Sequence, residues 1–133
     1  MKLRAPKAMR NESGSAAIEF AIAVPVLVLI MWGIFQVGMI FEANAGMQHA
    51  LGEAARYATI YPTPSDTAIQ AKITSHKFGV ARGTWSTPTI DNTNLAASGY
   101  KVITVQYSQP MDFLFAPGPT VTLTKSKRVY VSA

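Results

Sequence analysis

Residues 14–20 read Gly-Ser-Ala-Ala-Ile-Glu-Phe, and they open a run from Phe20 to Phe41 in which no side chain carries a charge. As an α-helix this run of about 22 residues is roughly 33 Å long, which is enough to cross the hydrocarbon core of a bilayer. The segment before it is basic and carries four cations, Lys2, Arg4, Lys7 and Arg10. The sequence therefore predicts one membrane-spanning helix near the N-terminus, with the lipid bilayer as its surroundings.

The apolar run has the features of an anchor and lacks those of a secretory signal peptide. A signal peptide has an apolar core of about 7–15 residues followed by a small-x-small cleavage site. This run is longer, and no such site follows it before the helical pattern continues. Since the basic residues precede the run, the positive-inside rule predicts a cytoplasmic N-terminus and a C-terminal part outside. Within the span, Pro25 predicts a kink or a loosened turn, and Trp32 is interpreted as a mid-span filler.

Composition limits the remaining possibilities. The 133 residues are 49% hydrophobic and only 14% charged, and the apolar excess lies in the first third. The net charge of +5 is divided between the basic head and scattered cations, with one cluster at Lys125, Lys127 and Arg128. We interpret that cluster as a solvated strand edge and expect no nucleic-acid partner. The absence of cysteine excludes a disulfide framework and a thiolate metal site.

The helical pattern continues beyond the apolar run. From Glu42 to Ala58, residues spaced three to four apart share one face: Ala43, Met47, Ala50, Ala54 and Ala58. Pro62 and Pro64 cannot extend a helix, so we expect it to end near Thr59. One helix of about 45 residues, roughly 65 Å long, is therefore predicted to join the membrane to a small domain.

A second, short helix is predicted after the prolines. Ser65 or Asp66 is a suitable N-terminal cap, Ile69 and Ile73 fall on one side, and Gly79 is the expected end.

From Gly83 onward the pattern favours strands. The first lies from Thr84 to Ile90 and is interrupted by Pro88, and the second covers Tyr100 to Ser108. The last covers Thr120 to Ser132, with four alternating residues expected to face the core: Val121, Leu123, Val129 and Val131.

Between the last two strands, Pro110 to Pro119 is predicted to be a loop with an apolar tip at Phe113, Leu114 and Phe115. The tip either folds back on the sheet or contacts a partner or the membrane, and folding back is favoured.

These elements define the predicted organisation. Residues 1–14 form a cytoplasmic basic leader, 15–41 the transmembrane part of the long helix, 42–61 its extracytoplasmic extension, and 62–133 a small extracytoplasmic domain. The predicted fold class is α+β, with a long N-terminal helix, a short helix and an antiparallel sheet of about three strands.

Taken in order, three segments resemble the TadE-like minor pseudopilins of the tight-adherence (Flp) pilus system. They are Gly-Ser-Ala-Ala-Ile-Glu-Phe-Ala from Gly14, Val-Pro-Val-Leu-Val from Val24, and Ala-Leu-Gly-Glu-Ala-Ala-Arg-Tyr-Ala from Ala50. The resemblance extends more weakly through the rest of the chain. The opening segment is its strongest part, because a basic head, a glycine, small residues, an acid and a long apolar helix occur together in that order.

The resemblance implies a precursor that a membrane prepilin peptidase cuts between Gly14 and Ser15, with cell adhesion through the pilus as the setting. Glu19 would then be the fifth mature residue, next to Phe20, and its carboxylate would neutralise the new amine of Ser15 where either charge alone is costly. The implied location is the bacterial inner membrane, crossed once, with the domain periplasmic or extracellular, or else the pilus. The implied partners are the peptidase, other pilins or pseudopilins, and the inner-membrane pilus assembly platform. Entry into the filament, priming of it and a role in assembly all stay open.

Small residues on the long helix are predicted to allow close approach of another helix. The candidates for helix packing are Pro25, Gly33, Gly38, Gly46 and Ala50.

We predict no enzymatic activity, no cofactor and no metal. His49 and His76 are the only histidines, and neither has a second ligand at metal spacing. No glycine-rich phosphate loop or nucleophile elbow occurs. The alternative to a pseudopilin is a single-pass, signal-anchored binding or sensor module unrelated to pili, which would give Gly14 and Glu19 no purpose.

Overall fold

The computed structural model describes residues 12–114 and 116–131. Most of the predicted basic leader therefore lies outside the described residues, as do Phe115 of the predicted loop and Ser132 of the predicted last strand. Helix α1 covers Glu12–Ala58, 47 residues, and is continuous through Pro25. At 1.5 Å per residue it is about 70 Å long, so the expectation of one long helix from the apolar run into the domain is confirmed.

The N-terminal part of α1, residues 14–31, contains no buried residue. An 18-residue stretch within Gly14–Ala58 has a mean hydropathy of 2.4 and no buried residue, and the helix is long and apolar enough to cross a membrane. Large apolar side chains such as Phe20 and Ile34 are 71% and 67% exposed. An apolar surface of this size in water is costly, so it indicates a surrounding of lipid or of other helices.

Helix α1 ends where the sequence predicts. After Ala58, the backbone N–H groups of Thr59 and Ile60 donate to the carbonyls of Arg56 and Tyr57 at 3.4 and 3.2 Å. The Thr59 hydroxyl also donates to the Arg56 carbonyl at 2.8 Å. These bonds satisfy terminal carbonyls of the helix before the proline-rich segment leads the chain away.

Helix α2 covers Asp66–His76 and is capped by Ser65, whose side chain accepts a hydrogen bond from the Ala68 N–H at 3.2 Å. Ile69 and Ile73 are fully buried, as the spacing predicts. The predicted end at Gly79 is wrong, because the helix stops at His76 and the chain is extended at Lys77.

Gly79 instead makes a turn against α1. Its φ is +67°, and a Cβ there would lie 2.9 Å from the Glu42 backbone carbon. Glycine is required both for this backbone conformation and for the close approach.

The sheet is antiparallel and is built around one long central strand. Strand β3, Tyr100–Phe113, pairs along one edge with β4, Ala116–Tyr130. Along its other edge it pairs with two short strands in turn, β1 at Thr84–Trp85 and β2 at Thr89–Asp91. A one-turn helix, α3, Leu95–Ser98, connects β2 to β3. The α+β class is thus confirmed, with four strands where about three were expected, because the segment around Pro88 divides one edge strand into two.

The predicted loop from Pro110 to Pro119 is wrong. Both strands continue through it, with Asp112 paired to Pro117 and Phe113 to Ala116, and a register shift lies between Pro110 and Asp112. Prolines suggest a loop because they lack the N–H that a sheet needs, but edge strands and bulges tolerate them. Beyond Ser108 no strand pairs with the second edge of β3 in the part of the chain that the structure describes. In this region β3 and β4 are therefore paired only with each other.

Strand β4 directs one set of side chains toward α1. Val129 is 4% exposed and Val121, Leu123 and Val131 are partly buried, as predicted. Lys125 and Lys127 lie on this same face, opposite Val105 and Ile103. Lys125 is half-buried and Lys127 is exposed, and lysines on an edge strand oppose the pairing of a further strand.

The core lies between α1, α2 and β3. The predicted face of α1 is buried: Ala43, Met47, Ala50 and Ala54 are each 0% exposed and pack with Ile69, Ile73, Ile103, Val105 and Tyr107. Alanine on this face brings the helix axis close to the sheet. Gly46 allows an even closer approach, because a Cβ there would lie 2.8 Å from the Phe78 carbonyl carbon.

Replacement of Gly46 by alanine should destabilise the fold, while the same change at Gly52 should not. Gly46→Ala forces α1 away from the backbone of Phe78, at an expected cost of about 1–3 kcal/mol in the free energy of unfolding. Nothing lies within 4 Å of a Cβ at Gly52, so Gly52→Ala should gain about 0.5–1 kcal/mol of helix stability. Chemical denaturation of the full chain in detergent micelles measures both. Equal effects of the two changes would contradict the close helix contact.

An ion pair connects the start of α2 to the central strand. Lys101 Nζ lies 2.6 Å from Asp66 Oδ1, and the Lys101 side chain is only 8% exposed whereas that of Asp66 is 38% exposed. Asn92 donates a second hydrogen bond to Asp66 at 2.5 Å. Burial raises the pKa of the Asp66 carboxyl, but the hydrogen bonds from Lys101 and Asn92 and the charge of Lys101 together hold it below the ordinary 3.8.

This ion pair should make stability depend on pH. The pKa of Asp66 is lower in the folded state, so its contribution is fully present above the unfolded pKa and is lost as pH falls through the folded value. Asp66→Asn should be less stable than the wild type by about 1–2 kcal/mol at neutral pH, since it leaves a buried lysine with a weaker partner. The difference should shrink as pH falls below about 4, in denaturation series at several pH values. A Lys101→Met change added to Asp66→Asn should recover stability, and a difference that does not change with pH would refute the role of the pair.

Candidate functional site: the N-terminal half of the long helix

The predicted processing residues lie at the exposed start of α1. Gly14 is in the first turn, and nothing lies within 4 Å of a Cβ placed there. Ser15 and Glu19 are one helical turn apart, and the Ser15 hydroxyl donates to Glu19 Oε1 at 3.4 Å. The Glu19 carboxylate therefore reaches back to the residue that cleavage after Gly14 would make the N-terminus. Nothing in the structure tests cleavage, and this role stays a prediction.

Glu19 stands at one end of an apolar stripe on α1. The stripe lines a shallow groove and recurs at helical spacing, through Ile22, Ala23, Val26, Leu27 and Ile30. Each of these side chains is exposed. One carboxylate at the end of an apolar face can take part in a directed polar contact while the rest of the face packs against lipid or another helix.

The predicted helix-packing residues fall into two groups. Pro25 is exposed, and Gly33 and Gly38 have open space around them, so a partner helix can reach all three. Gly46 and Ala50 are already occupied: Gly46 lies against Phe78, and Ala50 is fully buried in the core. In this structure the close contacts of Gly46 and Ala50 are made within the chain. Contact with another subunit stays a prediction, and it rests on the first group.

Two side chains of the apolar run form hydrogen bonds with the closed end of the β3–β4 hairpin. Trp32 Nε1 donates to the Asp112 carbonyl at 2.5 Å, and Gln36 Nε2 donates to the same oxygen. Gln36 is only 3% exposed. This contact was not predicted, although Gln36 is the one side-chain amide in the run from Phe20 to Phe41. A polar residue within a spanning segment is itself a signal of function.

A cation lies at the same level of the helix. The Arg82 guanidinium carbon is 5.8 Å from the centroid of the Phe35 ring. Since Arg82 is in the turn that leads to β1, two separate parts of the domain reach down to residues 32–36 of α1.

The histidines form a pair on the domain surface. The rings of His49 and His76 are 6.3 Å apart, and the Phe78 ring lies 5.7 Å from that of His49. His76 Nδ1 lies 3.0 Å from the Lys72 carbonyl. Among the residues that the structure describes, no group of three or more His, Cys, Asp or Glu side chains is arranged to hold a metal ion.

The described residues thus form a long helix with one candidate membrane span, and the C-terminal half of that helix packs on a small antiparallel sheet. Residues 14–56 match the model of the TadE-like protein family, so the family recognition is confirmed over the helix that carries the predicted site. The searches found no match among curated proteins and none among solved structures.

Proposed function

We propose that this protein is a TadE-type pseudopilin that a prepilin peptidase matures and that acts in assembly or secretion of a tight-adherence (Flp) pilus. The observation that carries the proposal is the TadE-like match over residues 14–56, which begins at Gly14 and ends within α1. The proposed roles are membrane anchoring and contact with other subunits, without catalysis and without a cofactor.

Maturation would take place at the cytoplasmic face of the inner membrane. The basic residues before Gly14 favour that side, and the domain would then be periplasmic or extracellular. The scissile bond lies in the first turn of α1, where the leading backbone N–H groups have no partner within the helix. Small residues and a helix end of this kind unwind at little cost, so a peptidase can bind the segment in an extended form.

Assembly would use the exposed half of α1. After cleavage, the Ser15 amine of one subunit and the Glu19 carboxylate of a neighbour can pair in the membrane, where each charge alone is expensive. Gly33 and Gly38 let a pilin-like helix approach closely above that pair. Other pilins or pseudopilins and the inner-membrane assembly platform are the proposed partners.

Gly14→Leu should block maturation. A bulky side chain at the scissile bond obstructs the peptidase, so the protein should keep its full-length mass in cells with an active prepilin peptidase, whereas the wild type should begin at Ser15. Gly33→Leu is the matched control, since Gly33 is also an open glycine on α1 and should allow normal cleavage. Intact-mass analysis and N-terminal sequencing of membrane fractions read both. Full-length wild-type protein would reject the pseudopilin and favour the signal-anchored binding or sensor module.

Glu19→Gln should separate maturation from assembly. The change keeps the shape of the side chain but removes the charge that pairs with a neighbour's amine, so cleavage and membrane insertion should persist while cross-linking to partner pilins and pilus-dependent attachment of cells decrease. Glu53→Gln removes one carboxylate from the domain half of α1 and should leave both readouts unchanged. Undiminished cross-linking and attachment in the Glu19 variant would show that its charge has no part in assembly.

A further inference from the structure

The closed end of the β3–β4 hairpin, here called the hairpin tip and comprising Met111–Leu114 and Ala116–Pro117, lies beside the apolar part of α1. The Asp112 carbonyl accepts hydrogen bonds from both Trp32 and Gln36. These residues lie inside the segment that the sequence alone assigns to the membrane. The position of the tip therefore bears on where the span ends.

The tip is unsuited to the hydrocarbon core. Asp112 is exposed, and a hairpin end leaves backbone polar groups that lipid tails cannot satisfy. The tip also presents an apolar side chain, since Leu114 is 49% exposed. Polar backbone combined with exposed apolar side chains is typical of the boundary between headgroups and acyl chains.

Arg82 gives an independent marker of the same depth. Its guanidinium lies over the Phe35 ring, at the level of the tip. A cation is costly in the membrane interior but favourable among lipid phosphates. Trp32 lies one turn below Gln36 and donates its N–H to the Asp112 carbonyl, so it differs from the mid-span filler that the sequence predicts. Amphipathic rings of this kind are enriched at membrane interfaces.

Helix length allows a boundary at Phe35 as well as one at Phe41, so the depths of Arg82 and Asp112 decide between them. Residues 15–35 give about 31 Å of helix, close to the thickness of a bilayer core of about 30 Å. A span that continued to Phe41 would move Arg82 and Asp112 about 9 Å deeper, into the hydrocarbon.

We propose that the membrane span of α1 ends at Phe35, and that the hairpin tip inserts Leu114 into the outer headgroup layer as a second membrane contact. The Gln36 and Trp32 bonds to Asp112 hold the tip at that depth, and Phe113 supports it by folding over Gly118, where a Cβ would lie 2.7 Å from the Phe113 ring. The inference rests on the membrane anchor of the proposed function, but it requires neither cleavage nor pilus assembly.

The chain has no cysteine, so single-cysteine variants of the full chain can carry an environment-sensitive NBD fluorophore. Leu114→Cys tests the tip, and Phe41→Cys tests the longer span. Ile22→Cys is the control for the membrane interior, and Thr124→Cys, exposed on β4, is the control for water. The proteins are reconstituted in phosphatidylcholine–phosphatidylglycerol vesicles that contain lipids spin-labelled either near the headgroup or near the bilayer centre.

The Leu114 probe should emit at shorter wavelength than the Thr124 probe. The shallow label should quench the Leu114 probe at least about twofold more than it quenches the Thr124 probe. The Phe41 probe should behave like that at Thr124, and the Ile22 probe should be quenched best by the deep label.

An unquenched Leu114 probe with a quenched Ile22 probe would overturn the tip contact alone. Quenching at Phe41 by either lipid label, or quenching of the Leu114 probe best by the deep label, would overturn the boundary at Phe35. A Leu114 probe with short-wavelength emission that lipid labels do not quench would indicate a protein partner and reject lipid as the occupant. An unquenched Ile22 probe would overturn the membrane anchor itself, and the inference with it.

Discussion

The structure depends on how closely the distal half of α1 approaches the rest of the domain. Gly46 admits the backbone of Phe78, and Gly79 admits that of Glu42. The alanines along the same face reduce the distance between helix and sheet, so Tyr107 and Ile103 of β3 become fully buried. In a domain of this size each fully buried large side chain matters, because little core is available to compensate for a lost contact. Small residues on α1 therefore determine the stability of the domain more directly than its few large apolar ones.

The same helix serves two surroundings, and its sequence changes accordingly. Up to Phe35 large apolar side chains are distributed around it and are exposed, as in a helix that meets lipid or other helices on every side. From Ala43 onward the apolar residues are confined to one face, as in a helix that packs on a sheet. Gln36 lies between these regions, with its amide bound to the Asp112 carbonyl. A polar side chain can be buried at this transition because the Asp112 carbonyl of the domain accepts its hydrogen bond.

Local patterns predicted the parts of the fold that local forces determine. The extent of α1, its buried face, the Ser65 cap and the inward residues of β4 follow from periodicity and capping, and the structure has all of them. The sequence wrongly predicts a loop from Pro110 to Pro119, because prolines are tolerated there only through the edge position of those strands, which no local pattern reveals. It also wrongly predicts a helix end at Gly79, whose close approach to Glu42 is a tertiary contact. At the candidate site, the roles of Gly14, Ser15 and Glu19 are predicted from their order in the sequence and stay predictions. The bond from Gln36 to Asp112 joins residues 76 positions apart and could only be seen in three dimensions.

The way in which α1 is occupied limits how subunits can associate. Gly46 and Ala50 contact the chain's own domain, so a neighbouring helix cannot use them without displacing the core. The edge strand β4 carries Lys125 and Lys127, and charged side chains on an edge strand disfavour growth by addition of strands. Among the described residues, the long exposed surface that remains is the N-terminal part of α1, from Ser15 to Met31, with one carboxylate near its start. Packing there gains dispersion energy without hydrophobic transfer, since lipid tails are as apolar as the side chains they would replace. A polar contact at Glu19 would therefore supply the direction and register that an apolar helix alone does not specify.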